Sequence, residues 1–295
     1  MNYLQIYSNF LKKHIKVSRP MSVVCDASDG VSGIVLKKVF RNHPKIKLVL
    51  INGKPNGKFP SHGPNPLSSG ALDQCARRVV KERADLGAVF DADGDRIFFI
   101  DEKGIPLPSF KSAAILFLNS TPPFVADELV YQSLKLMKII PQKNLFPAKV
   151  GTYFIKNKMG KTKASIAAEY SGHFYFKDFF GADSGLMTLI KMSNLLSKSG
   201  DTLSQHVNRL PAFSIISENK PLENDFLDFK NKLKARPLKG VIKMEERDGL
   251  SLIFSDSFLN VRASNTEPLL RMTCGAVSKE VCKKIIKKLE TVSLK

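Results

Sequence analysis

The sequence contains few cysteines, and they are far apart. The four cysteines among 295 residues stand at positions 25, 75, 274 and 282, with no C-x-x-C pair and no histidine at metal-ligand spacing. A disulfide scaffold needs many cysteines in a short chain, and a structural zinc site needs closely spaced ligands. The chain therefore belongs to neither class, and its cysteines are predicted to be reduced thiols or core residues.

Long apolar runs are absent as well. No run approaches the ~18 residues that a membrane-spanning helix needs. The first five residues, Met1 to Gln5, lack the basic and then apolar pattern of a secretory signal. We therefore expect a soluble cytoplasmic protein without a membrane partner.

Acidic residues are scarce relative to basic ones, 27 against 46, which gives a net charge of +19. Such an excess is typical of nucleic-acid binding, because Lys and Arg displace counterions from phosphates. Here, however, the basic residues are spread along the chain without a zinc finger or ribonucleoprotein motif, and those of the last predicted helix flank an apolar stripe. The composition favours a lysine-rich solvent face that attracts anionic substrates. Nucleic-acid binding is the alternative, and it predicts DNA retention unaffected by Asp93→Ala and Arg262→Ala.

The hydrophobic pattern predicts an α/β protein. In the first 104 residues, strand-like runs alternate with amphipathic stretches, at 22–26, 31–40, 46–51, 72–83 and 86–90. This order predicts a domain with a largely parallel sheet. A second α/β unit, 105–210, begins after Gly104, and Pro211 begins an α+β unit with antiparallel strands, 211–295.

Three carboxylates at alternating positions follow the strand predicted at 86–90. Asp91, Asp93 and Asp95 converge on one ion if the loop curls, and the glycine between them permits this. Oxygen ligands with room for water or phosphate suit Mg²⁺, and the adjacent Arg96 has the donors to grip a phosphate. A calcium EF-hand needs glycine where Arg96 stands and a helix where a strand is predicted. A metal-free solvated turn stays open as an alternative.

Three further polar segments are candidates for binding. The loop Arg262-Ala263-Ser264-Asn265-Thr266 offers donors to a phosphate, with Arg271 nearby, although the same letters also form ordinary turns. Glu169 and His173 bracket Ser171-Gly172. They have the groups to hydrogen bond to sugar hydroxyls, and the alternative is that they are ordinary polar surface residues. Ser61-His62 suggests a nucleophile, but the surrounding prolines and glycine favour a rigid connection.

Together these segments resemble the phosphohexomutase superfamily, specifically its bacterial phosphomannomutase/phosphoglucomutase branch. The D-x-D-x-D-R metal motif is matched at Asp91, Asp93, Asp95 and Arg96. The G-E-x-S-G-H sugar-binding motif is matched at Glu169, Ser171, Gly172 and His173, with Ala168 departing at its first position. The R-x-S-N-T-E-P phosphate motif is matched at Arg262, Ser264, Asn265, Thr266, Glu267 and Pro268. The F-P-x-H-x-P-N-P connecting element is matched at 59–66, and Lys149-Val150-Gly151 resembles a segment near the substrate.

The resemblance implies family domains II, III and IV: two related three-layer α/β/α domains and a smaller α+β C-terminal domain. It also implies Mg²⁺ on the three aspartates, a catalytic role for Arg96, and hexose phosphates as ligands. The implied substrate-binding residues are Lys149, Gly151, Glu169, Ser171, His173, Arg262, Ser264, Asn265, Thr266 and Arg271. Asn265 stands where the phosphoglucosamine mutase branch has glycine, which favours mannose and glucose phosphates.

One part of the family pattern has no counterpart in the sequence. The T-A-S-H-N-P loop, which carries the family's phosphoserine on its first domain, is not matched. We therefore expect a mutase body whose phosphoserine domain is supplied separately. The alternatives are a non-catalytic Mg²⁺-dependent phosphosugar-binding protein and a truncated gene product.

Overall fold

The computed structural model describes residues 1–221, 225–264 and 268–293. The strands are β1 (Met21–Asp26), β2 (Ile46–Ile51), β3 (Leu86–Phe90), β4 (Ile97–Ile100), β5 (Phe124–Asp127), β6 (Leu145–Ala148), β7 (Ile166–Ala168), β8 (Phe174–Phe176), β9 (Ala182–Asp183), β10 (Ser214–Pro221), β11 (Lys243–Glu245), β12 (Leu250–Ile253), β13 (Ser257–Ala263) and β14 (Leu269–Ala276). The α-helices are α1 (Tyr3–Lys13), α2 (Ser32–Phe40), α3 (Asp73–Glu82), α4 (Ser109–Leu118), α5 (Glu128–Met137), α6 (Thr152–Thr162), α7 (Gly185–Ser199), α8 (Leu203–Asn208), α9 (Phe226–Ala235) and α10 (Lys279–Ser293).

The prediction of an α/β protein is confirmed: two mixed α/β sheets precede an antiparallel C-terminal sheet. The chain divides into two compact units, the first made of residues 1–124 and 159–210 and the second of residues 125–158 and 211–295. The three domain ranges predicted from the sequence stay a prediction.

The first sheet has the strand order β2-β1-β3-β4. β1 runs parallel to β2 and β3, whereas β4 returns antiparallel to β3. Helix α3 covers the sheet because Cys75 and Val79 on its inner face pack against Val24, Val89 and Ile100. The carboxyl ends of β1 and β3 therefore meet at one edge, where parallel sheets hold their ligand sites.

Three short strands and a long helix of the first unit lie near that edge. β7, β8 and β9 pair antiparallel, with Ala168 opposite Phe174 and Tyr175 opposite Asp183. Helix α7 begins directly after β9, where the Ser184 side chain accepts a hydrogen bond from the Met187 amide and so caps the helix.

The second unit contains the antiparallel sheet, of order β10-β14-β13-β12-β11. Helix α10 packs on it through Cys282, Ile285, Ile286 and Leu289, which are all buried. The four lysines that flank the apolar stripe of that helix are exposed, as the stripe predicts: Lys283, Lys284, Lys287 and Lys288. The four cysteines are free and buried, in agreement with a role in the core.

Among the helices of the described part of the chain, none has the length and apolarity to span a membrane.

Candidate functional site

The three aspartates lie on the loop that joins β3 to β4, beyond the carboxyl end of β3. One carboxylate oxygen from each of Asp91, Asp93 and Asp95 lies within 4.8 Å of the other two. Asp91 is buried, Asp95 is partly exposed and Asp93 is exposed. Strand β4 follows at once, so the helix that an EF-hand requires after its loop is not present at this position. The donor set is the one that suits a hard divalent cation.

Asp91 shapes the loop as well as facing it. Its Oδ1 accepts hydrogen bonds from the backbone amides of Gly94, at 3.0 Å, and Arg96, at 3.1 Å. Its Oδ2 accepts from Arg96 Nε at 2.5 Å. Burial raises the pKa of Asp91 to about 6, and the Asp95 charge adds to this, while the hydrogen bond from Arg96 opposes it. A bound cation would relieve this cost, because it favours the ionised carboxylate.

Close backbone contacts fix the conformation of the loop 91–95. The Val31 amide donates to Ala92 O at 2.9 Å, and the Ala92 amide donates to Pro64 O at 3.2 Å. A Cβ atom on Gly30 would lie 2.2 Å from Ala92 O, so only glycine fits at this position. The loop conformation therefore depends on the turn after β1 and on the connecting element 59–66.

Arg96 is fixed on two sides. Besides its bond to Asp91, its Nη1 donates to Asn65 Oδ1 at 3.2 Å, and its Nε is 4.0 Å from Asp95 Oδ1. About a quarter of the side chain is exposed. A guanidinium anchored in this way keeps donors available for an anion without having to be ordered first.

The predicted sugar-binding residues form a tight hairpin between β7 and β8. The Glu169 amide donates to His173 O at 2.9 Å, and Gly172 at the turn has a φ of +97°. A Cβ on Gly172 would lie 2.8 Å from the Phe98 ring, so glycine is required here. The Ile97 amide donates to Gly172 O at 3.1 Å, and Arg96 and His173 form an antiparallel bridge. The hairpin is thus joined directly to the end of the loop that carries Asp91, Asp93 and Asp95.

His173 connects the two loops through its side chain. Its Nε2 lies 3.4 Å from Asp95 Oδ2, and its Nδ1 lies 2.8 Å from Ser171 Oγ and 3.4 Å from Glu169 Oε2. Burial lowers the pKa of His173, but Asp95, Glu169 and Asp183 outweigh that effect and the pKa is raised. The hydrogen bond with His173 lowers the pKa of Asp95. Buried Glu169 also accepts from the Tyr175 hydroxyl at 2.6 Å, which fixes its carboxylate.

The predicted phosphate-binding residues lie in the second unit. Arg262 is near the end of β13 with its Nη1 3.7 Å from Asp248 Oδ2. On β14, Arg271 stands opposite Arg262 and its Nη2 donates to Ser264 Oγ at 3.3 Å. Asn265 and Thr266 lie outside the described residues.

Lys149 and Gly151 lie in the same unit, between β6 and α6. Lys149 Nζ is 5.1 Å from the centre of the Phe154 ring, a cation–π contact. Gly151 has a φ of +114°, a conformation that glycine adopts without strain. Burial raises the pKa of Asp248, and the charges of Arg262 and Lys149 oppose this, so both cations lie in the field of one carboxylate.

The connecting element 59–66 has a supporting role in the structure. His62 Nε2 lies 3.2 Å from Asp26 Oδ2, and Ser61 Oγ donates to Asn52 Oδ1 at 2.9 Å. The Asn52 amide group donates to both carboxylate oxygens of buried Asp26 at 3.0 Å. Ser61 and His62 thus bond to different members of one polar network. These contacts fit the prediction of a rigid connection better than a nucleophilic role for Ser61.

Four residues near these groups were not singled out from the sequence: Asn65, Tyr175, Asp183 and Asp248. Asn65 and Tyr175 hold Arg96 and Glu169, while Asp183 and Asp248 face His173 and Arg262. Asn65 was within the recognised connecting element, but its contact with Arg96 depends on the fold. Tyr175 and Asp183 reach the site through the pairing of β8 with β9, and Asp248 lies in the turn between β11 and β12, so the sequence gives no signal for these three.

Comparison with known proteins gives a consistent family assignment. Three sequence profiles match in order: phosphoglucomutase/phosphomannomutase alpha/beta/alpha domain II at residues 2–104, alpha/beta/alpha domain III at 130–213 and the C-terminal domain at 219–292. Phosphomannomutase of Methanocaldococcus jannaschii is 30% identical, over 100% of this chain and 66% of its own length. Phosphomannomutase of Escherichia coli K12 is 28% identical, over 92% of this chain and 62% of its own length.

Solved structures agree. A phosphoglucomutase/phosphomannomutase family protein from Burkholderia thailandensis superposes with a TM-score of 0.85 at 27% identity, covering 98% of this chain and 63% of that one. The chain belongs to the alpha-D-phosphohexomutase superfamily, and its residues correspond to domains II, III and IV. It spans roughly two thirds of the length of the relatives above.

Proposed function

We propose that this chain is the metal- and substrate-binding body of a phosphomannomutase/phosphoglucomutase, an intramolecular phosphotransferase of carbohydrate metabolism. The reaction interconverts hexose 1-phosphate and hexose 6-phosphate through a bisphosphate. The observation that carries the proposal is the contact between the two loops of the first unit, His173 Nε2 to Asp95 Oδ2 at 3.4 Å. It brings hard-cation ligands and sugar-binding groups, separated by 78 positions in the chain (173 less 95), into one site.

Each group has a chemical role in this proposal. Asp91, Asp93 and Asp95 would hold Mg²⁺, which would supply positive charge to the phosphoryl group in transfer. Arg96 binds the reacting phosphate, while Glu169, Ser171 and His173 bind sugar hydroxyls. In the second unit Arg262, Ser264, Asn265 and Thr266 bind the distal phosphate, and Lys149, Gly151 and Arg271 are further substrate-binding residues.

Phosphoryl transfer between two sugar oxygens needs a group that holds the phosphoryl group between the two steps. We assign this role to a phosphoserine on a separate domain. The family carries such a serine on its T-A-S-H-N-P loop, which no motif of residues 1–295 matches. The rival is a non-catalytic protein that binds hexose phosphates with Mg²⁺. Both share the same binding site and differ only in turnover.

Binding is tested first, by calorimetric titration of mannose 1-phosphate and glucose 1-phosphate with and without Mg²⁺. We expect Mg²⁺-dependent binding that Asp93→Asn and Arg262→Ala each weaken about tenfold or more, since each removes a charge-assisted contact. The exposed residues Asp225 and Arg236 supply matched controls, because Asp225→Asn and Arg236→Ala change the same charges away from the site. Unchanged binding in both site variants would refute the site.

Turnover is tested second, by adding a phosphorylated first-domain polypeptide from a related mutase and following conversion of 1-phosphate to 6-phosphate. Conversion that requires both polypeptides, and that Asp93→Asn abolishes, supports the mutase. Mg²⁺-dependent binding without conversion under any such complementation favours the non-catalytic protein.

A further inference from the structure

A second group of potential metal ligands lies beside the loop that carries Asp91, Asp93 and Asp95. One ligand atom from each of Asp95, His173 and Asp183 lies within 4.8 Å of the other two. Asp183 ends β9, where its pairing with Tyr175 on β8 brings it next to the hairpin. This group shares Asp95 with the loop but replaces two hard carboxylates by an imidazole and one carboxylate, a set that suits transition metals better than Mg²⁺.

The distance between His173 and Asp95 matches that between two ligands of a tetrahedral ion. Bonds of about 2.1 Å to nitrogen and oxygen place neighbouring ligand atoms of a tetrahedral zinc site about 3.4 Å apart. His173 Nε2 and Asp95 Oδ2 are 3.4 Å apart. Asp95 and Asp183 also line a pocket of about 400 Å³, through which a small ion has access to both carboxylates.

The contacts of His173 Nδ1 resemble those of the non-ligating nitrogen in metal-bound histidines. In such sites the nitrogen that does not bind the metal donates to a carboxylate, which fixes the ring and its tautomer. Here Nδ1 lies 3.4 Å from Glu169 Oε2 and 2.8 Å from Ser171 Oγ. Glu169 is itself buried and held by Tyr175. An ion on Nε2 would replace the proton through which His173 bonds to Asp95, while Nδ1 keeps its proton on the side of Glu169.

We propose that Asp95, His173 and Asp183 form a second metal site, which takes Zn²⁺ or a similar transition-metal ion. This inference goes beyond the proposed function, because ion binding there does not require phosphoryl transfer. Since Asp95 belongs to both sites and His173 to the sugar-binding hairpin, an ion in this site removes one ligand from Mg²⁺ and one group from the sugar. Zn²⁺ is therefore an antagonist of Mg²⁺ in this chain.

The test uses the full chain, with Zn²⁺ measured by competition with a chromophoric chelator and Co²⁺ by its visible d–d absorption. We expect one ion per chain, with His173→Asn and Asp183→Asn each weakening Zn²⁺ binding about tenfold or more, at least the loss that removal of a supporting group causes. Asp93→Asn weakens Mg²⁺ binding but leaves the Zn²⁺ affinity close to that of the wild type. His206→Asn is the matched control, because His206 lies 3.9 Å from the single carboxylate of Asp201.

Several results would overturn the proposal. These are no Zn²⁺ binding in the micromolar range, equal affinity in His173→Asn and the wild type, or loss of Zn²⁺ binding in Asp93→Asn alone. A thiolate-to-Co²⁺ charge-transfer band in the near ultraviolet would place the ion on the cysteines and would also refute it. Circular dichroism melting of each variant without metal shows whether the variant is folded, and Asp183→Asn provides a second test if His173→Asn is not.

Discussion

The buried ion pair between Glu128 and Arg247 offers a sharp test of what holds the second unit together. Glu128 on α5 is 1% exposed, and its carboxylate is paired with Arg247 and accepts from Gln132 Nε2 at 2.9 Å. Arg247 also lies over the Tyr131 ring, 5.6 Å from its centre, and contacts Glu245 at 3.1 Å. Because Arg247 precedes the turn that carries Asp248, the pair anchors this turn to α5.

The Arg247→Met variant leaves the Glu128 charge buried with one neutral donor. Breaking a buried pair costs about 3–5 kcal/mol, and loss of the cation–π contact about 0.5–2 kcal/mol. Since Arg247 is 24% exposed, water reaches the carboxylate and the lower end applies, about 3 kcal/mol. The chain has no tryptophan, so amide hydrogen exchange of α5 is the suitable assay. Its protection should fall roughly a hundredfold.

The double variant Glu128→Gln/Arg247→Met separates the buried charge from lost packing. Without a charge to bury, it should recover most of the protection, because buried ion pairs are often replaced by neutral groups at little cost. Protection that falls less than about threefold in Arg247→Met, equivalent to roughly 0.7 kcal/mol, would refute the reasoning. Equal losses in the single and double variants would assign the effect to packing instead.

Two further predictions concern the loops. Gly30→Ala should weaken Mg²⁺ binding in calorimetric titration, because the new Cβ would lie 2.2 Å from Ala92 O and must displace the metal loop; Gly57→Ala, whose Cβ meets nothing within 4 Å, should have no effect, and equal results for both would contradict this. Asp248→Asn should change how stability depends on pH. The raised pKa of Asp248 means that the wild type has a stabilising contribution below the ordinary value of 3.8 and loses it as pH rises through the folded pKa. The melting temperature of the variant relative to the wild type should therefore increase from pH 4 to pH 7, and a constant difference would contradict the assignment.

The sequence was sufficient for the elements and the individual motifs because these depend on local signals. The strand at 86–90 and the amphipathic stretch at 31–40 are predicted from hydrophobic period alone, and β3 and α2 are present with nearly those bounds. The glycine between Asp93 and Asp95 indicated a curled loop, and Gly94 has a φ of +79°. Such features need no knowledge of what lies across the fold.

The contacts that make a site were not predictable in this way. Asp183 reaches His173 only because β8 and β9 pair with Tyr175 opposite Asp183, and this register depends on tertiary packing. Asp248 lies in the turn between β11 and β12, and it reaches Arg262 because that turn packs against β13. The turn requires Gly249, since a Cβ there would lie 2.3 Å from Val261 O. Neither aspartate is distinguished from other acidic residues by its sequence neighbours.

The link between the loop 91–95 and the hairpin of Glu169 and His173 has a thermodynamic consequence for the proposed site. Arg96 and His173 form a backbone bridge, and the Ile97 amide donates to Gly172 O, so a displacement of either loop strains the other. His173 also hydrogen bonds to Asp95, which we propose as a Mg²⁺ ligand. If Mg²⁺ orders the loop, it orders the hairpin as well, and the sugar phosphate then binds a site whose conformational cost has already been met. Linkage requires the sugar phosphate to raise the Mg²⁺ affinity by the same factor, so a factor of one in both titrations would show that the two loops do not act as one site.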